Sequence, residues 1–365
     1  MTVLSGVDRR WLDAAAREAT PWLGTTAENP TVGAIVVDPQ SQHLLGRGVT
    51  APGGRPHAET QAIEDAHDTA RGATLYVTLE PCNHFGRTPP CVDAILAAGL
   101  RRVVIGVVDP DPRTAGGGLE RLAAAGVEVV VADHAPSRRL HEGHISRKTK
   151  GRPFVTAKLA VSADGKVGLE RHGNVPITGE PARLWTHMQR ATSDAVLIGW
   201  GTARIDDPRL TVRLAGLEQR TPLRVVLAGR RALDARLALL DDTAHGPVAV
   251  IAIPEKQLDV PRGVEVIGVA GAHGRPDLAA ALTALAERGV QSLLLEAGPT
   301  LLEALLSAGL VDRFHLLRSE VEVGPEGLPA TPRGSIEARL GTAGFSLVDH
   351  RLLGADNLRT FERIF

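Results

Sequence analysis

The sequence predicts an α/β protein of two domains, and three observations carry that prediction. Its 365 residues exceed what one hydrophobic core usually supports, so two compact halves are expected. Short β-rich runs alternate with segments whose apolar residues recur at helical spacing, the pattern of a partly parallel sheet covered by helices. A polar, basic stretch from His141 to Phe154, "HEGHISRKTKGRPF", interrupts that pattern and ends in Gly-Arg-Pro. It divides the chain into a domain over 1–147, a linker over 148–151 and a domain over 152–365.

In the first half, Trp11, Leu12, Ala15, Ala16 and Ala19 fall on one helical face, and Pro21 marks its break. "TVGAIVVD" and "HLLGRGVT", separated by "PQSQ", form a hairpin. "PHAETQAIEDAHDTA" is a helix, "ATLYVTLEP" a strand, "CVDAILAAGL" a helix closed by Gly99, and "RRVVIGVVDP" a strand; "GGLERLAAAG" and "VEVVVA" repeat the pair. In the second half "FVTAKLAVSADG", "DAVLIGWGT", "LRVVLAG", "VAVIAI" and "SLLLEAG" read as strands. "GEPARLWTHMQRATS", "DLAAALTALAERG" and "TLLEALLSAGL" read as helices between or after them.

Composition narrows the function. Lys plus Arg number 41 against 42 for Asp plus Glu, a net charge of −1, so no basic footprint for nucleic acid is present. No apolar run approaches the ~20 residues that span a bilayer, and "MTVLSGVDRRWLDAA" lacks the pattern of a secretory leader. A cytoplasmic protein without a membrane partner is expected. Two cysteines are too few for a disulfide scaffold, and in a reducing compartment such a pair more often binds metal or does chemistry.

Those cysteines, Cys82 and Cys91, flank the stiff insert "NHFGRTPP". His57, Ala58 and Glu59 open a helix, and Cys82, following a strand and Pro81, is expected to open another, so that imidazole, carboxylate and thiolate converge at two helix N-termini. His57, Cys82 and Cys91 make the three N and S ligands of a catalytic zinc site, with the fourth position left to water. Glu59 stays free to take that water's proton and pass it to a departing amine, which is hydrolytic deamination. Zinc deaminases carry H-x-E followed by P-C-x-x-C. Here eight residues, 83–90, separate the cysteines, and the insert adds His84 and Arg87, groups suited to a phosphate or a sugar hydroxyl. The competing readings are two inert cysteines, or a zinc staple closed by His84 that leaves Glu59 without a task. A nucleic-acid editor lacks both a basic face and aromatic stacking stretches.

Downstream, "EAGPTLLEALL" is a strand, a glycine turn and a helix whose N-terminus can face a phosphate, although such turns are also common packing devices. No G-x-G-x-x-G follows a strand, so a Rossmann site is not supported. "DDPRLTVR" sets two carboxylates and two arginines in a loop, ordinarily a solvated one.

In order along the chain, "NPTVGAIVV", "PHAE", "TLEPCNHFGRTPPC", "DAILAAGL" and "DPDPRTAGGG" resemble the deaminase domain of the bifunctional riboflavin-biosynthesis deaminase-reductases. "VTAKLAVSADGKVGL", "ITGEPAR", "GWGTARIDDPRLTVR" and "LLLEAGPTLLEALLSAGLVDRF" resemble the reductase domain of the same family. The resemblance implies a cytidine-deaminase-like three-layer α/β/α domain followed by a dihydrofolate-reductase-like α/β domain, in a homo-oligomer. It implies Zn2+ on His57, Cys82 and Cys91, with Glu59 as proton shuttle and substrate contacts at Asn29, His84, Arg87 and Asp109. For the second half it implies substrate near Lys158, Asn174, Arg190, Leu210, Arg213 and Glu296. NADPH would lie near Val161, Pro176, Thr202, Asp206, Gly229, Gly298, Pro299 and Thr300. The implied substrate is 2,5-diamino-6-ribosylamino-4(3H)-pyrimidinone 5′-phosphate, which loses its ring amine and then has its ribosyl group reduced to ribityl. Thr50 stands where many members carry histidine, Asn83 and Asn174 where serine is usual, Asp111 where asparagine is common, and Pro176 where the family has an aromatic. The alternative is a deaminase whose second half is non-catalytic.

Overall fold

The computed structural model describes residues 4–169, 176–228, 236–254 and 258–363. The chain divides into two compact units, Met1–Gly151 and Arg152–Phe365.

The first unit runs α1 (Gly6–Ala19), β1 (Gly33–Val37), β2 (Leu44–Val49), α2 (Ala58–Ala66), β3 (Thr74–Val77) and α3 (Cys91–Ala98). It continues with β4 (Arg102–Ile105), α4 (Gly117–Ala124), β5 (Glu128–Val131), α5 (Ala135–Leu140) and α6 (Glu142–Lys150). The strands form one sheet in the order β2-β1-β3-β4-β5, in which β1 is antiparallel to β2 and β3 and the remaining pairs are parallel. Strand β1 is buried on both faces, which is why it reads as a continuous apolar run. Ala34 and Val36 pack with Ala58, Ala62 and Ala66 of α2 and with Val92 and Ile95 of α3, whereas Ile35 and Val37 pack with Leu12 and Ala15 of α1. Three layers result.

The alanine stripe of α2 lies directly on the two glycines of β2. A Cβ on Gly48 would stand 2.2 Å from the Ala58 carbonyl oxygen, and one on Gly46 2.3 Å from that of Ala62. This contact seats the N-terminus of α2, where His57 and Glu59 lie. Gly48→Ala must therefore push α2 off the sheet; we expect a loss of about 1–3 kcal/mol in chemical denaturation, together with weaker metal retention on dialysis against a chelator.

Two sequence expectations change. The segment 148–150, expected as linker, is the last turn of α6: Arg147, Lys148 and Lys150 complement the negative end of the helix dipole, and Gly151 in the left-handed conformation ends it. Cys82 does not open a helix. Pro89 and Pro90 lack backbone N–H groups and keep the chain extended until Pro90 becomes the N-cap of α3, so Cys91 is the helical cysteine.

The second unit runs β6 (Phe154–Val161), β7 (Lys166–Leu169), α7 (Glu180–Ala191), β8 (Ala195–Gly199), α8 (Trp200–Asp206), β9 (Leu223–Leu227) and α9 (Ala238–Asp241). Next come β10 (Val248–Ala252), β11 (Val264–Gly268), β12 (Gly271–Ala272), β13 (Arg275–Pro276), α10 (Leu278–Glu287), β14 (Ser292–Leu295) and α11 (Pro299–Ser307). It ends with β15 (Arg313–Arg318), β16 (Gly327–Pro329), α12 (Ile336–Thr342), β17 (Phe345–Leu353) and β18 (Asp356–Arg363). Among the described residues the large sheet has the order β11-β10-β9-β8-β14-β6-β15-β18-β17, parallel up to β15 and antiparallel beyond it. Neighbouring strands β8 and β14 each feed a helix at their C-terminal ends, α8 and α11, the place where ligands bind in open α/β sheets. Among the described residues no helix is long and apolar enough to cross a membrane.

Candidate active sites

In the first unit the helix starts of α2 and α3 bring three ligand atoms together. His57 Nδ1 lies 3.2 Å from Cys91 Sγ and 3.6 Å from Cys82 Sγ, and the Cys91 backbone N–H donates to Cys82 Sγ at 3.3 Å. All three ligand atoms lie within 4.8 Å of one another. Ligands at about 2.0–2.3 Å from a tetrahedral zinc stand about 3.3–3.8 Å apart, so the donor set fits that ion. A hydrogen bond from Cys91, and then His57, pulls Cys82 down to about 4, and Cys91 is pushed up in exchange.

Glu59 is only 4 % exposed, and its Oε2 has no hydrogen-bond partner. Burial, and then the charge of Cys82, push this carboxyl up to about 7. A buried carboxyl titrating near neutrality beside a metal-ligand set is suited to both taking and giving a proton. Arg55 donates to Thr88 Oγ1 at 2.6 Å and stands 3.2 Å from His57 Nε2, tying the cysteine loop to the entry of α2. The cavity that His57, Glu59 and Cys82 line is also lined by Asp109 and Asp111. Asp109 Oδ1 accepts from the Asp111 backbone N–H and hydrogen-bonds His144 Nε2, both at 2.9 Å. Asp111 pairs with Arg113 at 2.6 Å and Lys148 at 2.8 Å. Arg113 above all, with Lys148, holds it well below the carboxylate range against the effect of burial.

The second unit gathers half-buried charge at the C-terminal end of β14. Arg190 on α7 forks onto Glu296, with Nε and Nη2 at 2.6 and 2.9 Å from its two oxygens, and its Nη1 donates to the Thr211 carbonyl at 3.1 Å. Burial pushes Glu296 up, but Arg190 and Lys158 more than offset this and hold it below its ordinary value. Burial pulls the Lys158 ammonium down, Arg190 adds to that, and Glu296 opposes both. His187 Nδ1 accepts from the Arg213 backbone N–H at 3.3 Å, and burial with the Arg190 and Arg213 cations pulls it down to about 4. Beside this cluster Thr202 Oγ1 accepts from the Gly298 N–H at 3.1 Å, joining the turns that open α8 and α11.

Family models match both units: the cytidine and deoxycytidylate deaminase zinc-binding region over residues 6–107, and the RibD C-terminal domain over residues 153–357. The riboflavin biosynthesis protein RibD of Aquifex aeolicus is 37% identical over 92% of this chain and 93% of its own length. That of Mycobacterium tuberculosis is 40% identical over 80% of this chain and 78% of its own. The chain belongs to the RibD family. A solved RibD structure from Acinetobacter baumannii covers 98% of this chain and 99% of its own, with a TM-score of 0.86 at 31% identity. A Thermotoga maritima structure named as a diaminohydroxyphosphoribosylaminopyrimidine deaminase/5-amino-6-(5-phosphoribosylamino)uracil reductase gives the same TM-score, identity and coverage. The RibD family thus accounts for both halves: a zinc-binding deaminase domain and a reductase domain of riboflavin biosynthesis.

Several positions expected from RibD stand where a ligand can meet them. Asn29, His84 and Asp109 line the cavity together with His57, Glu59 and Cys82. Arg87 is exposed at the tip of the cysteine loop and does not line that cavity. Thr50 is buried and accepts from the Val32 N–H at 3.0 Å. Lys158, Arg190 and Glu296 form one cluster, and Arg213 joins it through His187. Leu210 and Val161 bury their side chains, so each offers a ligand only its backbone. Pro176 and Asp206 are exposed, and Pro299 and Thr300 open α11. Asn174 and Gly229 lie outside the described residues. Sequence reading missed Arg55, Arg113, His144 and Lys148 in the first unit and His187 in the second. Helical spacing held part of the signal: Lys148 follows His144 by four residues and Arg190 follows His187 by three, which puts each pair on one helix face.

Proposed function

We propose that the chain deaminates 2,5-diamino-6-ribosylamino-4(3H)-pyrimidinone 5′-phosphate in its first unit and reduces the ribosyl group of the product to ribityl with NADPH in its second. The observation that carries this reading is the His57, Cys82 and Cys91 ligand set beside a buried Glu59 whose Oε2 has no hydrogen-bond partner. Zinc in such a set acts as a Lewis acid and makes water nucleophilic near neutral pH. Glu59 takes the proton from the attacking water and delivers it to the ring amine, which leaves as ammonia as the ring carbon becomes a carbonyl. Asp109, fixed by His144 and the Asp111 N–H, and His84 line the same cavity, which supports a role for both in holding the substrate.

In the second unit the turns at Thr202 and Gly298 would hold NADPH, which when bound would supply a hydride to C1′ of the opened ribosyl group, with a proton taken up from solvent. Lys158 and Arg190, held by Glu296, fit an anionic, hydroxyl-rich substrate, and three part-buried charges kept in one cluster support a working site over a degenerate module. Glu296→Gln leaves Arg190 and Lys158 without their counter-charge. NADPH oxidation is expected to fall about 100-fold, with ammonia release unchanged, in parallel assays on the same preparation.

The reading includes the cytoplasm, where thiols stay reduced for a metal, and a homo-oligomer. Leu347, Val348 and Leu352, exposed on the edge strand β17, support the latter, and sedimentation of the purified chain tests it. The function itself is tested by following ammonia and NADPH together. Ammonia must appear without NADPH, and NADPH must be consumed only when the pyrimidine is present. Ammonia release with no NADPH consumption under any condition would remove the reductase half of the proposal.

A further inference from the structure

We propose that Arg224 is a positioning residue for the reductase: its buried guanidinium clamps the backbone of the loop that presents Arg213 to the pyrimidine substrate. The inference rests on the reductase reading of the second unit.

Arg224 lies on β9 in the interior of the parallel sheet, between Val196 of β8 and Val248 of β10, and is 0% exposed. Strand alternation sends its side chain to the face of Val226, into the apolar cluster that also holds Leu210. An apolar residue is the ordinary occupant of such a place, and a charge there needs partners. The partners are main-chain oxygens. Nη1 donates to the Arg209 carbonyl at 3.1 Å, and Nη2 to the carbonyls of Asp242 and Gly246 at 2.6 and 2.7 Å. The Asp242 carboxylate stands 3.5 Å from Nη1. One guanidinium thus ties the loop before Leu210 to the turn before β10.

That loop needs the tie. Leu210 sits at φ 56, the left-handed region that a γ-branched residue avoids, with its side chain 2% exposed. Such a conformation persists only where surrounding contacts over-determine it. They do: on the C-terminal side Arg190 takes the Thr211 carbonyl, Thr221 Oγ1 accepts from the Val212 N–H at 3.1 Å, and His187 accepts from the Arg213 N–H. On the N-terminal side, Arg224 takes the Arg209 carbonyl. With that hold gone, Leu210 can relax to an ordinary conformation, and the direction of the Arg213 guanidinium goes with it.

The test uses the full chain, with Arg224→Met and Arg224→Lys. Read-outs are KM and kcat for the deaminated pyrimidine, NADPH affinity by fluorescence, and ammonia release as a report on the first unit. Misplacing a substrate contact by about 1 Å costs up to about 100-fold. Arg224→Met is therefore expected to raise the pyrimidine KM at least about tenfold, with smaller change in kcat and none in NADPH affinity or ammonia release. Arg224→Lys, which keeps a donor for one carbonyl, recovers part of the loss. An unchanged pyrimidine KM in Arg224→Met overturns the proposal, as does weakening of pyrimidine and NADPH together with a lower melting temperature, the mark of general loosening. If Arg224→Met does not fold, Arg224→Gln carries the same comparison. Absence of NADPH oxidation in the unmodified chain would instead refute the reductase reading.

Discussion

Cys82→Ser is expected to remove zinc and ammonia release together while leaving the second unit at work. A serine hydroxyl does not ionise at neutral pH as the Cys82 thiolate does, so one of three ligands is lost from a site that, among the described residues, gathers only His57, Cys82 and Cys91. The metal contributes several kcal/mol to the transition state, so deamination should fall by about 1,000-fold or more. Elemental analysis should show a chain depleted of zinc, and NADPH oxidation with already deaminated pyrimidine should continue at the unmodified rate. A variant that releases ammonia normally with no zinc would break the link between the ligand set and the chemistry.

Glu59→Gln should separate what Cys82→Ser joins. The amide has the shape of the carboxyl but neither takes nor returns the proton that moves from water to amine. Proton transfer by a placed side chain contributes about 100- to 10,000-fold, and the loss should fall in that range with zinc content unchanged. Glu59 is not among the three ligand residues. Its burial and its unpartnered Oε2 mark it as held ready for a reacting group rather than for a structural bond. Ammonia release that survives Glu59→Gln would move the proton shuttle to another group.

Much of this was legible in the sequence because it is local. The Gly33–Val37 run and its hairpin partner, the alanine stripe of α2 and the residues His57, Glu59, Cys82 and Cys91 each declare themselves within a few positions of a turn, a proline or a motif. Other features were not local. Whether Cys82 or Cys91 starts the helix is decided by Pro89 and Pro90, and the basic run at 147–150 reads equally as a linker or as a charged helix end. The exposed strand Phe345–Leu353 shows Leu347 and Leu352 to solvent and so lacks the alternation that marks a half-buried strand. Arg224 is the furthest case. In "PLRVVLAG" it looks like a charge at a strand edge, and only the fold brings the carbonyls of Arg209, Asp242 and Gly246 to it.

The proposed function requires two chemistries in one chain to act in turn on one molecule. Mass spectrometry of the pyrimidine recovered after incubation with the zinc-loaded chain and NADPH tests it most directly. The expected product has one amine replaced by oxygen and two hydrogens gained. Recovery of the deaminated but unreduced pyrimidine alone, with NADPH intact, would contradict it.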